Sequence, residues 1–218
     1  MHLLESFNRR LKCHPVINEV AAGIATEYFN ELSSEKKALT LVTAGPGLTN
    51  VITAMAGAYL ESRELLVIGG QVKTQDLSRG RLRQRGIQEI DGVSIARPVS
   101  VRSCLLDCPV DFEKFSSLID CAQKGRKGPV FIEIPLDVQA REVAATTTGS
   151  GSVRDPNILP RVSEDIFSQV VTMIRAAQRP LFLIGGGVSR DAMNGAIEGL
   201  SCSEIPIATT WNGADRIE

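Results

Sequence analysis

The chain has little that would commit it to a membrane, a polyanion or a metal. No apolar run approaches the roughly 18 residues of a membrane-spanning helix. The opening Met1-His2-Leu3-Leu4-Glu5-Ser6-Phe7-Asn8-Arg9-Arg10 lacks the basic-then-apolar order of a secretory signal. Neither sign of charge predominates: 24 Lys and Arg against 25 Asp and Glu leave a net charge of −1. There is thus no electrostatic reason to expect nucleic acid or a lipid surface as partner. Histidine is confined to His2 and His14. The five cysteines, Cys13, Cys104, Cys108, Cys121 and Cys202, are odd in number and scattered. Cys104 and Cys108 have no second ligand pair, which argues against a zinc site, and the odd count argues against a disulfide framework. The expectation is a cytoplasmic protein with buried structural thiols.

What is there suits a globular α/β domain. Hydrophobic residues make up 43% and charged residues 22% of 218 positions, enough apolar material for a real core. Short apolar runs read as buried strands at Ala38–Ala44, Leu65–Ile68, Val130–Ile134 and Leu181–Ile184. They alternate with helical patterns, the arrangement of βαβ units around a parallel sheet. In the first helix Ile17, Ala21, Ile24 and Tyr28 share one face. The second, about Thr49–Leu60, carries Ala54, Ala56, Gly57 and Ala58, small side chains that suit tight packing on both sides. Asp111–Lys124 is a third, with Phe112, Phe115, Leu118, Ile119 and Ala122 along its stripe.

After Pro135-Leu136-Asp137-Val138 the composition shifts. Ala144–Pro160 is rich in Thr, Gly, Ser and Pro without periodicity and reads as a linker. The expected division is a first domain over 1–142, a linker over 143–162 and a partial second domain over 163–218. The second opens with a helix from Ser163-Glu164-Asp165, followed by a strand running into Gly185-Gly186-Gly187. Two strands are too few for an independent α/β fold, so this part is expected to be incomplete.

Glu19 is the leading candidate for chemistry. It follows Asn18 at a helix start, and about twenty residues later comes Leu41-Val42-Thr43-Ala44-Gly45-Pro46-Gly47-Leu48-Thr49-Asn50. The ordinary reading of Glu19 is a first-turn carboxylate, favoured beside the positive end of the helix dipole by about 0.3–1 kcal/mol. Gly45-Pro46-Gly47 alone is a common strand-to-helix turn. Taken together, these segments resemble the pyrimidine-binding domain of thiamine diphosphate enzymes, and most closely the acetolactate (acetohydroxyacid) synthases. The likeness continues through Gly69-Gly70-Gln71-Val72, Leu82–Ile90, Arg97-Pro98-Val99-Ser100, and Gly128-Pro129-Val130 with Pro135-Leu136-Asp137-Val138. It covers residues 14–142.

The resemblance implies a parallel-sheet pyrimidine domain with helices on both faces, followed by a partial Rossmann-like central domain. It implies 2-oxo acid decarboxylation, on a substrate such as pyruvate, with transfer of the two-carbon unit to an acceptor. That is the transferase chemistry of branched-chain amino-acid biosynthesis. Glu19 would activate the cofactor through its aminopyrimidine ring, and burial is expected to raise its pKa. Pro46, Asn50 and Gln88 match cofactor-contacting positions, and Arg126 with Gly185, Gly186 and Gly187 match a region that contacts FAD in flavin-containing members. Mg²⁺ would bind the diphosphate through ligands outside this chain. The family's site is shared between subunits of a homodimer or homotetramer, so the chain alone would be inactive. The family also usually has a helix and strand ahead of the segment matching Ile17–Ala25, so the beginning reads as incomplete. The resemblance leaves other reactions open: a simple 2-oxo acid decarboxylase, a C–C hydrolase, or a non-catalytic half that only dimerises.

The chain also departs from the family pattern. Asn18 stands where His is common. Ile87 replaces the Phe that borders the substrate in acetohydroxyacid synthases. Val101-Arg102 stands where Thr-Lys is usual. Arg79, Arg81, Arg83 and Arg85 form a basic segment, either a solvated loop or a recognition element for an acidic substrate or a partner subunit.

Overall fold

The computed structural model describes residues 2–33, 35–143 and 162–217. They form two compact units, and the division falls between residues 143 and 162. The linker expected over that stretch therefore lies almost wholly outside the described residues.

The first unit runs α1 (His2–Asn8), α2 (Glu19–Leu32), β1 (Thr40–Val42), α3 (Pro46–Leu60), β2 (Leu65–Gln71), α4 (Gly92–Ala96), β3 (Arg102–Leu105), α5 (Phe112–Asp120) and β4 (Pro129–Pro135). Its four strands lie in the order β1-β2-β4-β3, all parallel. The centre is the β2–β4 pair, in register from Leu65 opposite Pro129 to Gln71 opposite Pro135, with every residue of both strands buried. Strands covered on both faces need continuous rather than alternating apolar character, which is why Leu65–Ile68 and Val130–Ile134 stand out in the sequence.

Helices cover both faces. On one, Leu48, Val51, Ala54, Met55 and Ala58 of α3 and Ala96 of α4 pack on Leu65, Val67 and Phe131. On the other, Leu118 of α5 and Ala122 just beyond it meet Leu66, Ile68, Val130, Ile132 and Ile134, with Leu3 and Phe7 of α1 packed alongside. β3 has no apolar run to announce it. Its residues Arg102-Ser103-Cys104-Leu105 form a strand because the edge of β4 offers a ladder of backbone partners.

Several expectations change. The face of Ile17, Ala21, Ile24 and Tyr28 is the exposed one: Ile17 lies outside α2, and Ile24 and Tyr28 remain 43% and 46% accessible. α2 buries Gly23, Thr26, Glu27 and Asn30 instead. The reason is close packing against α3. A Cβ at Gly23 would stand 2.5 Å from the Ala54 Cβ and 3.1 Å from Val51 Cγ2, so the contact face is small and its polar members find partners. Thr40 Oγ1 donates to Thr26 Oγ1 at 2.8 Å, and Arg63 pairs with Glu27 at 3.0 Å. α3 is not enclosed on both sides either, because Gly57 has no neighbour within 4 Å and Thr49, Asn50 and Leu60 are exposed. Phe112 is 64% accessible at the start of α5, off the packed stripe. The thiols are not buried: Cys13, Cys108 and Cys202 are exposed, and Cys104 and Cys121 half-buried.

The second unit contains α6 (Glu164–Ala176), β5 (Phe182–Ile184), α7 (Arg190–Cys202) and β6 (Ile207–Thr209). Its strands form a two-stranded parallel sheet. Ser163 and Ser189 cap the two helices, accepting from Ile166 N and Ala192 N. No helix among the described residues is long and apolar enough to cross a membrane.

Gly23→Val is expected to destabilise the first unit by about 1–3 kcal/mol through overpacking at the α2–α3 contact. Urea unfolding of the variant beside the parent checks it.

Candidate functional site

The candidate residues of the first unit gather at the carboxyl ends of β1 and β2, where ligands bind in parallel α/β sheets. Glu19 opens α2, and Asn18 caps that helix, its Oδ1 accepting from Val20 N at 2.9 Å and Ala21 N at 3.2 Å. Because α2 packs on α3, the first turns of the two helices lie side by side. Asn50 Nδ2 then donates to Glu19 Oε2 at 3.0 Å, across 31 residues of chain. The other carboxylate oxygen lies over the entry to α3: a Cβ at Gly47 would be 3.6 Å from Glu19 Oε1 and 2.7 Å from Thr43 Oγ1.

Pro46 occupies the first turn of α3, where its lack of an N–H costs nothing. Gly45 before it has φ +66°, and a Cβ there would overlap the Gln88 carbonyl oxygen. Glycine meets both demands, the left-handed backbone and the close approach. Gln88 is itself at φ +60°, a conformation uncommon for a residue with a side chain. The structure thus brings Glu19 to Asn50 directly, and Pro46 to Gln88 through Gly45.

Sequence reasoning passed over the residue that holds this turn in place. Glu89 is buried, and its carboxylate accepts backbone N–H groups from Ser78 at 2.5 Å, Arg85 at 2.8 Å and Gly86 at 3.3 Å. Burial alone would raise its pKa, but the Ser78 and Arg85 N–H bonds outweigh that and hold it below the usual carboxylate range. The signal in the sequence was its place beside Gln88. The same clasp organises the basic segment: Arg79 pairs with Asp107 at 3.2 Å, while Arg81, Arg83 and Arg85 are exposed. Ile87, in the position of the family's Phe, is 86% accessible beside Gln88.

The expected rise in the Glu19 pKa is not found. The Asn50 hydrogen bond, followed by the bond from its own backbone N–H, lowers it from the ordinary value. The side chain lies at a rim with water on one side, so desolvation is the smaller influence.

Arg126 and the glycine turn belong to different units. Arg126 Nε donates to Ser62 Oγ at 2.7 Å and Nη2 to Tyr59 O at 3.1 Å, with its guanidinium 5.3 Å above the Tyr59 ring. It thereby closes the carboxyl end of α3, whose last carbonyls lack helical partners. Gly185-Gly186-Gly187 follows β5. A Cβ at Gly186 would stand 2.8 Å from Asn212 O, whereas Gly187 has open space around it. Arg216 braces this turn through Val188 O at 2.7 Å.

With this geometry established, comparison with known proteins gives a class. Residues 1–95 match the family model described as thiamine pyrophosphate enzyme, N-terminal TPP binding domain. The first unit carries a domain like the N-terminal TPP binding domain of thiamine pyrophosphate enzymes, similar to that of the acetolactate synthases. The chain is 32% identical over 212 residues to an acetolactate synthase of Arthrospira platensis, covering 95% of this chain and 36% of that protein. It is 34% identical over 154 residues to the acetolactate synthase isozyme 1 large subunit of Escherichia coli K12, covering 70% and 26%. It is 31% identical over 204 residues to a probable acetolactate synthase large subunit of Methanocaldococcus jannaschii, covering 90% and 33%. The chain therefore spans between about a quarter and a little over a third of the length of these relatives.

Asn50→Ala is expected to return the Glu19 pKa upward toward its ordinary value, because the bond that favours the ionised form is lost. Carboxyl-carbon NMR titration of Glu19 in the two proteins measures the direction.

Proposed function

We propose that the first unit supplies the pyrimidine half of a thiamine diphosphate site, and that the reaction served is of acetolactate synthase type. The observation that carries this reading is the Glu19–Asn50 bond at 3.0 Å, set beside the Gly45-Pro46-Gly47 turn and Gln88. The donor set fits an aminopyrimidine. A carboxylate is available for one ring nitrogen, and an amide on either side can meet polar ring atoms. Gly47 lets Thr43 and the Glu19 carboxylate come close to the amino end of α3.

In this reading Glu19 exchanges a proton with the ring, general acid–base work at a carboxylate oxygen. Asn50 keeps that carboxylate aimed and ionised until the ring arrives. Closure over Glu19 would then remove the water at the rim and push its pKa upward, the change that burial brings to a carboxylate. Pro46 and Gln88 would bear on the ring from the turn side and hold it in one orientation. The bound cofactor would supply the carbanion chemistry that cleaves a 2-oxo acid such as pyruvate. Mg²⁺ and the diphosphate would be held by groups outside these residues, contributed across a homodimer or homotetramer. FAD at Gly185–Gly187 is a further part of the reading. Ile87 in place of the family's Phe favours a different acceptor, or none, which would make the reaction a simple decarboxylation or C–C hydrolysis.

Titration calorimetry of thiamine diphosphate with Mg²⁺ is the test, with the chain alone and mixed with a diphosphate-binding domain from a relative. Heat is expected only in the mixture, and Glu19→Gln should weaken binding at least about tenfold, the loss of one charge-assisted bond. Equal binding by the variant would remove Glu19 from the site.

A further inference from the structure

A second carboxylate lies deeper beneath the Gln88 turn. Glu133 is on β4, opposite Gly69 of β2 and Leu105 of β3, and only 2% accessible. It interrupts a strand whose other members are apolar or proline. Its side chain shares the sheet face of Phe131, toward α3 and α4. Glycines clear its space: a Cβ at Gly69 would lie 3.4 Å from Glu133 Cγ, and one at Gly92 would overlap its carboxylate and the side chain of Leu48. An ionisable residue accommodated at this cost in side chains calls for a use beyond packing.

Its hydrogen bonds suggest what that use is. Gln71 Nε2 donates both to Glu133 Oε1 at 3.1 Å and to Ile90 O at 3.0 Å, while Gln71 Oε1 accepts from Val72 N at 2.9 Å. The amide is thereby fixed in one orientation, as a bracket between the buried carboxyl and the backbone two residues past Gln88. From the other side, Gly92 rests directly on the carboxyl. The Gln88 turn, with its positive φ, is thus held by Gly45 in front, the Glu89 clasp at its side and Glu133 with Gln71 behind.

We propose that Glu133 is a positioning residue that, with Gln71 as the bracket, seats the Gln88 turn against Gly45 while its carboxyl is neutral and dry; ionisation strengthens the Gln71 bond itself but draws water to the buried carboxyl, and that hydration loosens the segment closed over it. This deepens the cofactor reading above and rests on it for the role of Gln88. The charged groups around Glu133 favour the neutral form. Asp91, which caps α4 through Ser94 N, adds a like charge. Glu89 is committed to Ser78, Arg85 and Gly86. β2 carries no ionisable side chain, and α3 only Tyr59 near its far end. On β3, Arg102 and Cys104 are in register with Val130 and Ile132, which face away. Among the described residues no cation pairs with Glu133. Desolvation, followed by the opposing Gln71 bond and then Asp91, sets its pKa at about 7, against 4.5 for an ordinary glutamate. The sign follows. The folded chain keeps this proton up to about pH 7, whereas the unfolded chain loses it near 4.5. The contribution of Glu133 to stability therefore falls as pH rises across that interval and stays reduced above it.

The test is amide hydrogen exchange by mass spectrometry on the full chain, from about pH 5.5 to about pH 8.5, corrected for intrinsic rates. Protection of residues 86–92 should fall about tenfold on raising the pH, while β2 and β4 peptides away from their carboxyl ends stay unchanged. Glu133→Gln should remain at the protected level throughout. Asp91→Asn keeps an N-cap and should move the transition to higher pH if Asp91 stabilised the charged form, but to lower pH here, because a repelling charge is removed. PH-independent protection in the parent, or an undiminished transition in Glu133→Gln, overturns the inference, and so does an upward shift in Asp91→Asn. The measurement uses no cofactor, so it decides this point whether or not thiamine diphosphate binds.

Discussion

The β2–β4 ladder is the constraint on which the first unit depends. Seven residue pairs in register, covered on both faces, make a slab that excludes water and ties the two strands together along their whole length. The Gln88 turn and the groups behind it hang from its carboxyl end. Gln71 is the last residue of β2, Glu133 lies two positions short of the end of β4, and the segment carrying Gln88 and Glu89 leaves from β2. A shift of one residue in this register would turn Glu133 to the opposite face and detach it from Gln71.

Close approach is the second organising principle. Gly23 lets α2 lie on α3, and that contact brings Glu19 within reach of Asn50. Gly45 lets the Gln88 carbonyl come against the start of α3, and Gly69 with Gly92 makes room for a carboxyl in the core. At each of these places a missing side chain sets the distance between two elements, and the distance in turn decides which polar groups meet. The cost of α2 burying a polar face is offset by Thr26–Thr40 and Glu27–Arg63, which satisfy the groups that close packing encloses.

The α/β class, the principal strands and the helix starts at Asn18, Asp111 and Ser163 were readable, because buried parallel strands and side-chain caps leave local marks. Other features left none. β3 forms from the edge that β4 offers rather than from its own residues. The inward face of α2 was misread because hydrophobic periodicity assumes that apolar residues turn inward, whereas here Gly23 won the contact with Ala54. Glu19 does open a helix, as its place after Asn18 implied, yet its pKa goes down, because the hydrogen bond from Asn50 is the largest influence and the rim position provides little burial.

By itself the sequence determined which residue types stand at the turns and helix starts, and the string from Glu19 through Gly45-Pro46-Gly47 to Asn50 that ties the chain to the thiamine pyrophosphate enzymes. Those are properties of neighbours along the chain, where propensity and capping act over a few residues. Only the tertiary structure decided that Asn50 serves Glu19, that Glu89 clasps the basic segment, that Arg126 closes α3, and that Glu133 lies behind the Gln88 turn. The Glu89 clasp spans 3 to 11 residues of an irregular loop; the others are contacts between segments tens of residues apart, settled by helix-on-helix distance and strand register, which no local pattern of side chains encodes.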